Sequence, residues 1–374
     1  MDSGLCLVSG LKNQDVQTRL FDPSWLQLQP HIPMSFVWPK EFVVDAHDEL
    51  QAPLVDLDGF LRGDKEATHH AFKLISQACL THGFFQVINH GVDPLLIREA
   101  YEQMDGFFKL PIQRKVSVLK RPGSMWGYSG AHADRFSSKL PWKETLSFPF
   151  HENALKPAVT TFFNSTLGED FDQAGVTFQK YCEAMKKLGM KLMELLAISM
   201  GVDRSHYENL FKDGCSIMRC NYYPSCQEPS VALGTGPHCD PTTLTILHQD
   251  QVGGLQVFTD QKWHTVRPHH DALVVNIGDT FTALSNGRYK SCLHRAVVNQ
   301  HKERRSLAFF LCPKEDKVLR PPEDIVHKDG TKPYPDFTWS NLLEFTQKYY
   351  RADESTLQNF TKWLLSSKPQ TPNK

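Results

Sequence analysis

The feature that most limits how this chain can fold is a series of short strand-like runs between residues 216 and 311. Each run is rich in β-branched, aromatic or alternating apolar residues, and Gly, Pro, Asn or Asp separates it from the next. The predicted strands cover residues 217–223, 244–247, 254–258, 263–267, 272–277, 294–298 and 306–311. Many short strands with such separators predict a β-sandwich or barrel.

Helical patterns lie on both sides of this β-rich region. The clearest covers residues 178–200, where apolar side chains recur at three- and four-residue steps and lysines occupy other faces. Further helices are predicted at residues 67–79, 94–108 and 339–365, and further strands at 53–57 and 84–88. The sequence therefore predicts a mixed α/β protein with an all-β core and flanking helices. We divide it into a partly ordered lead-in (1–48), a helix-rich N-terminal region (49–212), the β-rich core (213–313) and a C-terminal helical segment with a tail (314–374).

Charge and composition narrow the class of partner. The formal net charge is -1, which provides no overall field for nucleic acid or an anionic membrane. No window approaches about 18 uninterrupted apolar residues, and the opening residues lack the features of a secretory signal. The nine cysteines are scattered without C-x-x-C spacing, so we expect no disulfide framework. These features predict a cytoplasmic protein, able to reach the nucleus by diffusion, that binds a small molecule. We also expect a monomer, although charge and composition leave the oligomeric state open.

The stretch PHCDPTTLTILHQD, residues 237–250, carries the first chemical signal. His238 and Asp240 stand two residues apart, so in an extended segment they point to the same side. His294 begins a later predicted strand and is a plausible third ligand. Two imidazoles and one carboxylate form the facial triad of non-haem Fe(II) oxygenases. A zinc hydrolase can also use two histidines and a carboxylate, so the triad alone leaves the metal open.

A second pair with the same spacing serves as an internal comparison. His132 and Asp134 lie outside the β-rich region, and no histidine follows them at the distance that separates Asp240 from His294. We interpret this pair as structural or substrate-facing.

Arg304 and Ser306 distinguish between the possible metal chemistries. They share one face of a predicted strand shortly after His294. A guanidinium fork holds a carboxylate through two hydrogen bonds, and a hydroxyl adds another donor. Such a clamp suits the far carboxylate of 2-oxoglutarate, whose oxo-acid end would chelate iron. Without the histidine and aspartate motif nearby, the run K-E-R-R-S at residues 302–306 would be more typical of a solvated basic turn.

Asn221 and Tyr223 share a face of another predicted strand, in the motif N-Y-Y-P. A buried tyrosine needs a partner for its hydroxyl, and a bound dicarboxylate is one. A core tyrosine bonded to the backbone is the alternative.

Taken together, these motifs resemble the plant Fe(II)/2-oxoglutarate-dependent dioxygenases. THGFFQVINHG at residues 81–91, IGDT at 277–280 and LSNGRYKS at 284–291 are similar to motifs of the same family. The resemblance covers residues 53–313. It implies a double-stranded β-helix, or jelly roll, for residues 213–313, with Fe(II), 2-oxoglutarate, O2 and the supporting reductant ascorbate as the reaction partners.

Two further stretches resemble signatures of gibberellin 20-oxidases. LPWKET at residues 140–145 follows SGAHADRF at 129–136, and NYYPSCQEP covers 221–229, with Glu228 where lysine is usual and where we expect an exposed side chain. The resemblance implies successive oxidation of carbon 20 of a gibberellin precursor, from methyl to alcohol to aldehyde, and then loss of that carbon. This oxidation requires no side-chain nucleophile.

Trp142 and Lys143 are compatible with binding an apolar acid. The alternative is that Trp142 anchors the core and that Lys143 and Glu144 form an ordinary exposed pair. Among functions, the alternatives are another 2-oxoglutarate dioxygenase (a gibberellin 2- or 3-oxidase or a flavonoid-type enzyme), a zinc hydrolase, and a non-catalytic jelly roll that binds a hormone.

Overall fold

Two largely antiparallel sheets form the centre of the molecule, and a cavity lies between them. The computed structural model describes residues 21–121, 123–132, 139–152, 156–349 and 355–367. The strands are β1 Asp48–Glu49, β2 Leu54–Asp56, β3 Phe84–Ile88, β4 Gly127–Gly130, β5 Glu144–Phe150, β6 Ser216–Tyr223, β7 Leu233–His238, β8 Leu244–Gln249, β9 Leu255–Thr259, β10 Lys262–Thr265, β11 Leu273–Ile277, β12 His294–Val297, β13 Arg304–Leu311, β14 Val318–Leu319 and β15 Phe337–Thr338. The larger sheet has the order β2-β3-β11-β8-β13-β6-β5-β4 and the smaller β1-β10-β9-β12-β7.

Twelve α-helices form in the described part of the chain, and the longest packs on the larger sheet. They are α1 Pro23–Leu26, α2 Asp58–Leu61, α3 Lys65–Thr81, α4 Pro94–Phe108, α5 Ile112–Val116, α6 Ala158–Leu167, α7 Asp172–Ser199, α8 Glu208–Phe211, α9 Asp279–Leu284, α10 Glu323–Asp329, α11 Trp339–Lys348 and α12 Thr356–Ser367. The long helix α7 lies on the sheet at Gly189, where an added Cβ would be 3.5 Å from the side chain of Leu311 and 3.6 Å from that of Ile246. Within the described part of the chain, every helix is too short or too polar to span a lipid bilayer.

Strand β13 shows how the sequence divides its side chains between the two faces. Leu307, Phe309 and Leu311 belong to the core under the helices. Ser306 and Ala308, at the alternate positions, line the cavity on the other face. Because successive side chains of a strand point to opposite sides, one strand contributes to both the hydrophobic core and the site.

The predicted fold class is confirmed: a β core of two sheets carries helices on its flank. The seven strands predicted between residues 216 and 311 all form, and the helix at 94–108 has the predicted bounds. The helix predicted at 178–200 begins earlier, at Asp172, and ends at Ser199.

Three predictions about elements were wrong or incomplete. The single C-terminal helix expected at 339–365 is two helices, α11 and α12, because the backbone leaves the helical conformation at Tyr349 (φ -130°, ψ 72°). Strands β1, β4, β5, β7, β14 and β15 were not predicted. Helix α6 was missed as well, and so were the shorter helices α1, α2, α5, α8, α9 and α10.

Candidate functional site

The cavity between the sheets has a volume of about 590 Å³. Three neighbouring strands of the larger sheet provide one wall through alternate side chains: Arg219, Asn221 and Tyr223 of β6, Thr245 and Leu247 of β8, and Arg304, Ser306, Ala308 and Phe310 of β13. The smaller sheet provides the facing wall through Thr235, His238, Leu255, His294 and Ala296. Residues of α11 and of the segment 120–125 line one end.

His238, Asp240 and His294 meet in this cavity, with their ligand atoms all within 4.8 Å of one another. The two histidines come together because β7 ends and β12 begins at directly paired positions, His294 opposite His238. Asp240 follows in the turn before β8. Its carboxylate oxygens lie 3.6 Å from Nε2 of His238 and 3.7 Å from Nε2 of His294.

Both imidazoles are held with Nε2 directed at the shared space. Nδ1 of His238 lies 2.9 Å from the carbonyl oxygen of Gly236, and Nδ1 of His294 lies 3.2 Å from that of Cys292. A carbonyl only accepts hydrogen bonds, so Nδ1 carries the proton and the Nε2 lone pair is available to a metal. Burial and the neighbouring His294 imidazole lower the pKa of His238 to about 3, so this ring is neutral at pH 7.

The carboxylate of Asp240 is buried but kept ionised. Burial by itself raises its pKa, but His294 and His238 beside it and hydrogen bonds from Thr245 and Asn276 outweigh burial, so the pKa lies below its usual value. A neutral His238 imidazole and an ionised Asp240 carboxylate are protonation states that suit metal binding.

A short motif fixes the turn that carries Asp240. The amide of Asp279 donates to the Asp240 carbonyl at 2.8 Å, and the amide of Gly278 donates to the Thr243 carbonyl at 3.0 Å. A Cβ on Gly278 would lie 2.0 Å from the Thr242 carbonyl oxygen. The IGDT motif therefore needs glycine for a close approach of two backbones, and it positions the ligand-bearing turn.

Arg304 is a buried cation in the wall of the cavity, 2 % exposed. Its Nη2 donates to Oε1 of Gln249 at 3.0 Å, and its guanidinium carbon lies 4.9 Å from the centre of the Tyr223 ring. Among the described residues, no hydrogen-bond acceptor pairs with Arg304 Nε. A buried guanidinium with an unused donor fits an anionic ligand.

The adjacent arginine has a different role. Arg305 projects from the opposite face of β13, where its Nη1 pairs with the Asp105 carboxylate at 2.5 Å. The basic run at 304–305 is thus divided between the cavity and a partly exposed ion pair.

Ser306, Asn221 and Tyr223 adjoin Arg304. Nδ2 of Asn221 donates to Oγ of Ser306 at 3.2 Å, across the directly paired positions of β6 and β13. The Tyr223 hydroxyl lies 3.4 Å from Oγ1 of Thr235. The structure therefore brings together all four residues of the predicted carboxylate clamp.

Lys143 and Trp142 lie on opposite sides of the chain. Lys143 is buried and lines the cavity, and its Nζ donates to Oγ1 of Thr235 at 3.0 Å. Burial, with Arg219 and Arg304 nearby, lowers its pKa well below the usual value. Trp142 instead packs edge-on against Phe21 and Phe36 in a separate apolar cluster.

Lys143 and Glu144 do not form the exposed pair that was the alternative interpretation. Glu144 is fully buried on the other face of β5, where it pairs with Lys115 at 2.5 Å and accepts from the Tyr128 hydroxyl at 2.7 Å. The expectation that Glu228 is exposed was also wrong. Its carboxylate is partly buried and accepts from the Ile32 amide at 2.7 Å.

His132 is described, with a positive φ of 45°, but Asp134 lies outside the described residues. The interpretation of the second histidine–aspartate pair therefore stays a prediction.

The residues fit a bound metal. The distances of 3.6 and 3.7 Å between the Asp240 carboxylate oxygens and the two Nε2 atoms are shorter than two metal–ligand bonds of about 2.0–2.2 Å laid end to end, so one ion would be within bonding reach of all three side chains. The donor set has no thiolate, since the Sγ of Cys239 is directed to the Ser291 carbonyl. Two imidazoles and one carboxylate leave further coordination positions open.

Several residues of the site were missed in the sequence. Asn276 lies in the apolar run LVVNI, and Thr245 in LTIL. A polar side chain in a strand buried on both faces needs a hydrogen-bond partner, so this signal was available. Gln249 and Thr235 carried no such signal, because their partners are distant in sequence.

Comparison with known proteins agrees with this geometry. Residues 214–313 match the model of the 2OG-Fe(II) oxygenase superfamily, and residues 52–166 match a model described as the N-terminal region of a non-haem dioxygenase in morphine synthesis. A crystal structure described as JOX2 in complex with 2OG, Fe and JA has a TM-score of 0.75 and 31% sequence identity, covering 91% of this chain and 97% of that one. The rice dioxygenase for auxin oxidation has a TM-score of 0.69 and 27% identity, covering 82% of this chain and 99% of that one.

Curated relatives extend over nearly the whole chain. Gibberellin 20 oxidase 2 of Oryza sativa subsp. indica is 56% identical over 340 residues, which are 91% of this chain and 87% of that protein. Gibberellin 20 oxidases 2 and 3 of Arabidopsis thaliana are 51% and 54% identical, covering 96% and 92% of this chain and 94% and 92% of those proteins. The chain belongs to the gibberellin 20-oxidase family of the 2-oxoglutarate–Fe(II) oxygenase superfamily.

Proposed function

We propose that this protein oxidises carbon 20 of C20 gibberellins in successive steps, from methyl to alcohol to aldehyde, and then removes that carbon to give C19 gibberellins. Each cycle consumes one O2 and one 2-oxoglutarate and releases succinate and CO2, with ascorbate as the supporting reductant. The observation that carries the proposal is the presence of two histidines, one carboxylate and a buried arginine clamp in one cavity of a chain 51–56% identical to gibberellin 20 oxidases.

His238, Asp240 and His294 hold the iron in this proposal. Bound Fe(II) supplies the redox chemistry that activates O2 and removes hydrogen from an unactivated carbon. The chain supplies three oriented ligands: two imidazoles whose Nδ1 atoms face backbone carbonyl oxygens, and the ionised carboxylate of Asp240. No side-chain nucleophile takes part.

Arg304, Ser306, Tyr223 and Asn221 hold the far carboxylate of 2-oxoglutarate. Arg304 offers a charged donor fork in a site where little water competes with it. The hydroxyl of Ser306 already accepts from Asn221, so its own hydrogen is free to point at the carboxylate. The clamp and the metal ligands lie on facing walls, which suits a cosubstrate that binds at both ends.

The remaining space suits an apolar acid. Ile217, Phe310 and Leu343 give part of the lining an apolar character. Lys143 uses one hydrogen bond on Thr235 and retains donors for an anionic group of the substrate. Trp142 takes no part in the lining among the described residues, so a substrate role for it stays an untested prediction.

The cytoplasmic location and monomeric state are also proposals. The described cysteines are free thiols, which fits a reducing compartment.

The test of the reaction class is turnover of purified protein with Fe(II), ascorbate and a panel of C20 gibberellins, with O2 or 2-oxoglutarate omitted in turn. The proposal predicts that both omissions stop turnover and that Asp240→Ala abolishes it. A zinc hydrolase would be indifferent to both omissions, and a hormone-binding protein would keep its ligand unchanged. Hydroxylation at carbon 2 or 3 instead of carbon 20 would identify another gibberellin oxidase.

A further inference from the structure

The two carboxylate oxygens of Asp240 differ in their hydrogen bonds. Oδ2 accepts a hydrogen bond from Oγ1 of Thr245 at 2.6 Å and another from Nδ2 of Asn276 at 3.0 Å. Oδ1 lies 3.6 Å from Nε2 of His238, and Oδ2 lies 3.7 Å from Nε2 of His294, both too far for a hydrogen bond. All three side chains that form these hydrogen bonds are 5 % exposed or less.

The two donors occupy directly opposed positions of neighbouring strands. Asn276 of β11 pairs with Thr245 of β8 in the antiparallel register, and side chains at such positions lie close together on one face of a sheet. Asp240 reaches this pair from the turn that precedes β8. The sheet itself therefore fixes where Oδ2 lies.

Both donors are neutral. A carboxylate oxygen has two lone-pair directions in its plane, and Oδ2 uses both on Thr245 and Asn276. A cationic partner at Oδ2 would also fix the carboxylate, but it would weaken the attraction of the carboxylate for a metal ion by compensating its charge. Neutral donors orient the group and leave its negative charge in place.

We propose that Thr245 and Asn276 are positioning residues that hold Asp240 as a one-oxygen ligand, with Oδ1 directed to the metal and Oδ2 withheld from it. One carboxylate oxygen then occupies a single coordination position, which keeps the others open for 2-oxoglutarate and O2. The proposal rests on the assignment of the metal to His238, Asp240 and His294. Partners of metal ligands at this distance typically change metal affinity by about 10- to 100-fold when they are removed.

The experiment is a titration of the apo-protein with Co(II) alone, under argon and without 2-oxoglutarate, followed by visible absorption. Thr245→Val is the main variant because valine has the same shape and suits a strand but has no hydroxyl. Thr245→Ser restores the donor, and Asn276→Leu removes the other one. Thr243→Val is the matched control: Thr243 is buried two residues earlier, and its hydroxyl has no hydrogen-bond partner in the described part of the chain.

We expect Thr245→Val and Asn276→Leu each to weaken Co(II) binding by about 10-fold or more, and Thr245→Ser and Thr243→Val to bind as the unchanged protein does. The absorption bands of the saturated Thr245→Val complex should shift, because they report coordination geometry, whereas those of Thr243→Val should not. A loss of packing alone would affect both valine variants. If Asn276→Leu does not fold, the comparison of valine with serine at position 245 still tests the positioning role of the Thr245 hydroxyl.

Asp240→Ala tests the assignment of the metal site separately from the positioning role of Thr245 and Asn276. Loss of Co(II) binding in Asp240→Ala, together with unchanged affinity and spectrum in Thr245→Val, would overturn the positioning role and leave the metal site intact. Unchanged Co(II) binding in Asp240→Ala would overturn the metal assignment and the positioning role with it.

Discussion

Replacement of Arg304 by alanine is the most informative single change in the cosubstrate site. Arg304 is 2 % exposed, and its guanidinium is held by Gln249 and lies over the Tyr223 ring. Without it, the far carboxylate of 2-oxoglutarate would be buried with no cation. Leaving one member of such a buried pair alone costs about 2–5 kcal/mol. At about 1.4 kcal/mol for each factor of ten, the concentration of 2-oxoglutarate needed for half-saturation should rise at least about 30-fold.

Arg304→Lys tests geometry separately from charge. Lysine keeps the positive charge but lacks the planar fork, and one hydrogen bond to a charged group is worth about 1.5–3 kcal/mol. We therefore expect a rise of about 10-fold or more, smaller than that of Arg304→Ala. The assay is the rate of succinate formation as a function of 2-oxoglutarate concentration at fixed gibberellin.

Arg305→Ala is the matched control for both variants. It removes an arginine from the next position of the same strand, but that side chain pairs with Asp105 on the opposite face. Its half-saturation should stay at the value of the unchanged protein. The clamp assignment is wrong if Arg304→Ala saturates normally, or if Arg305→Ala requires as much additional 2-oxoglutarate as Arg304→Ala does.

Four other changes give separate predictions. Gly278→Ala should reduce metal affinity as measured by Co(II) titration, because its Cβ would lie 2.0 Å from the Thr242 carbonyl oxygen and displace the turn that carries the carboxylate ligand. Gly254→Ala should raise the 2-oxoglutarate requirement, since φ is +104° and the new Cβ would lie 2.7 Å from the Val297 carbonyl oxygen and 3.3 Å from Cδ of Arg304. Lys115→Met should lower the free energy of unfolding by about 3–5 kcal/mol in a denaturant titration, because it leaves the Glu144 carboxylate buried without its cation. Lys143→Met should raise the KM for the gibberellin more than that for 2-oxoglutarate, and equal effects on both would contradict a substrate role.

The part of the cavity wall formed by β6 and β13 could be predicted because it follows from the alternation of side chains along a strand. Arg304 and Ser306, like Asn221 and Tyr223, are two residues apart in strands whose register then places the two pairs side by side. The period of two is a local property of the sequence, so the shared face could be inferred before the partner strand was known.

Strand β7 shows why other parts could not be predicted. Its sequence, LGTGPH, contains two glycines and a proline, which argue against a strand. The structure explains the glycines: a Cβ on Gly234 would lie 2.6 Å from the Tyr223 ring, and one on Gly236 would lie 2.2 Å from the Trp38 ring. Contacts with residues far along the chain therefore decide this strand, and a local pattern does not contain them.

The relation of the lead-in to the other regions could not be predicted from local patterns either, because it depends on contacts between residues distant in sequence. The described part of the lead-in contacts both later regions: the Trp38 indole donates to the Leu140 carbonyl in the N-terminal region, and the Ile32 amide donates to Glu228 in the core. β2 to β5 of the N-terminal region extend the larger sheet of the core. The four-part division of the chain stays a prediction that the structure does not test.

The most direct test of the central claim is a mass-spectrometric time course of one C20 gibberellin, mixed anaerobically with the iron- and 2-oxoglutarate-loaded protein and started with O2. The account predicts that the alcohol and the aldehyde at carbon 20 appear and decline in turn, and that the C19 product then accumulates as succinate forms. Consumption of 2-oxoglutarate with every gibberellin intact would contradict the substrate assignment and leave the iron site standing. If 2-oxoglutarate also remained unchanged, the assignment of His238, Asp240 and His294 to an oxygenase centre would be wrong.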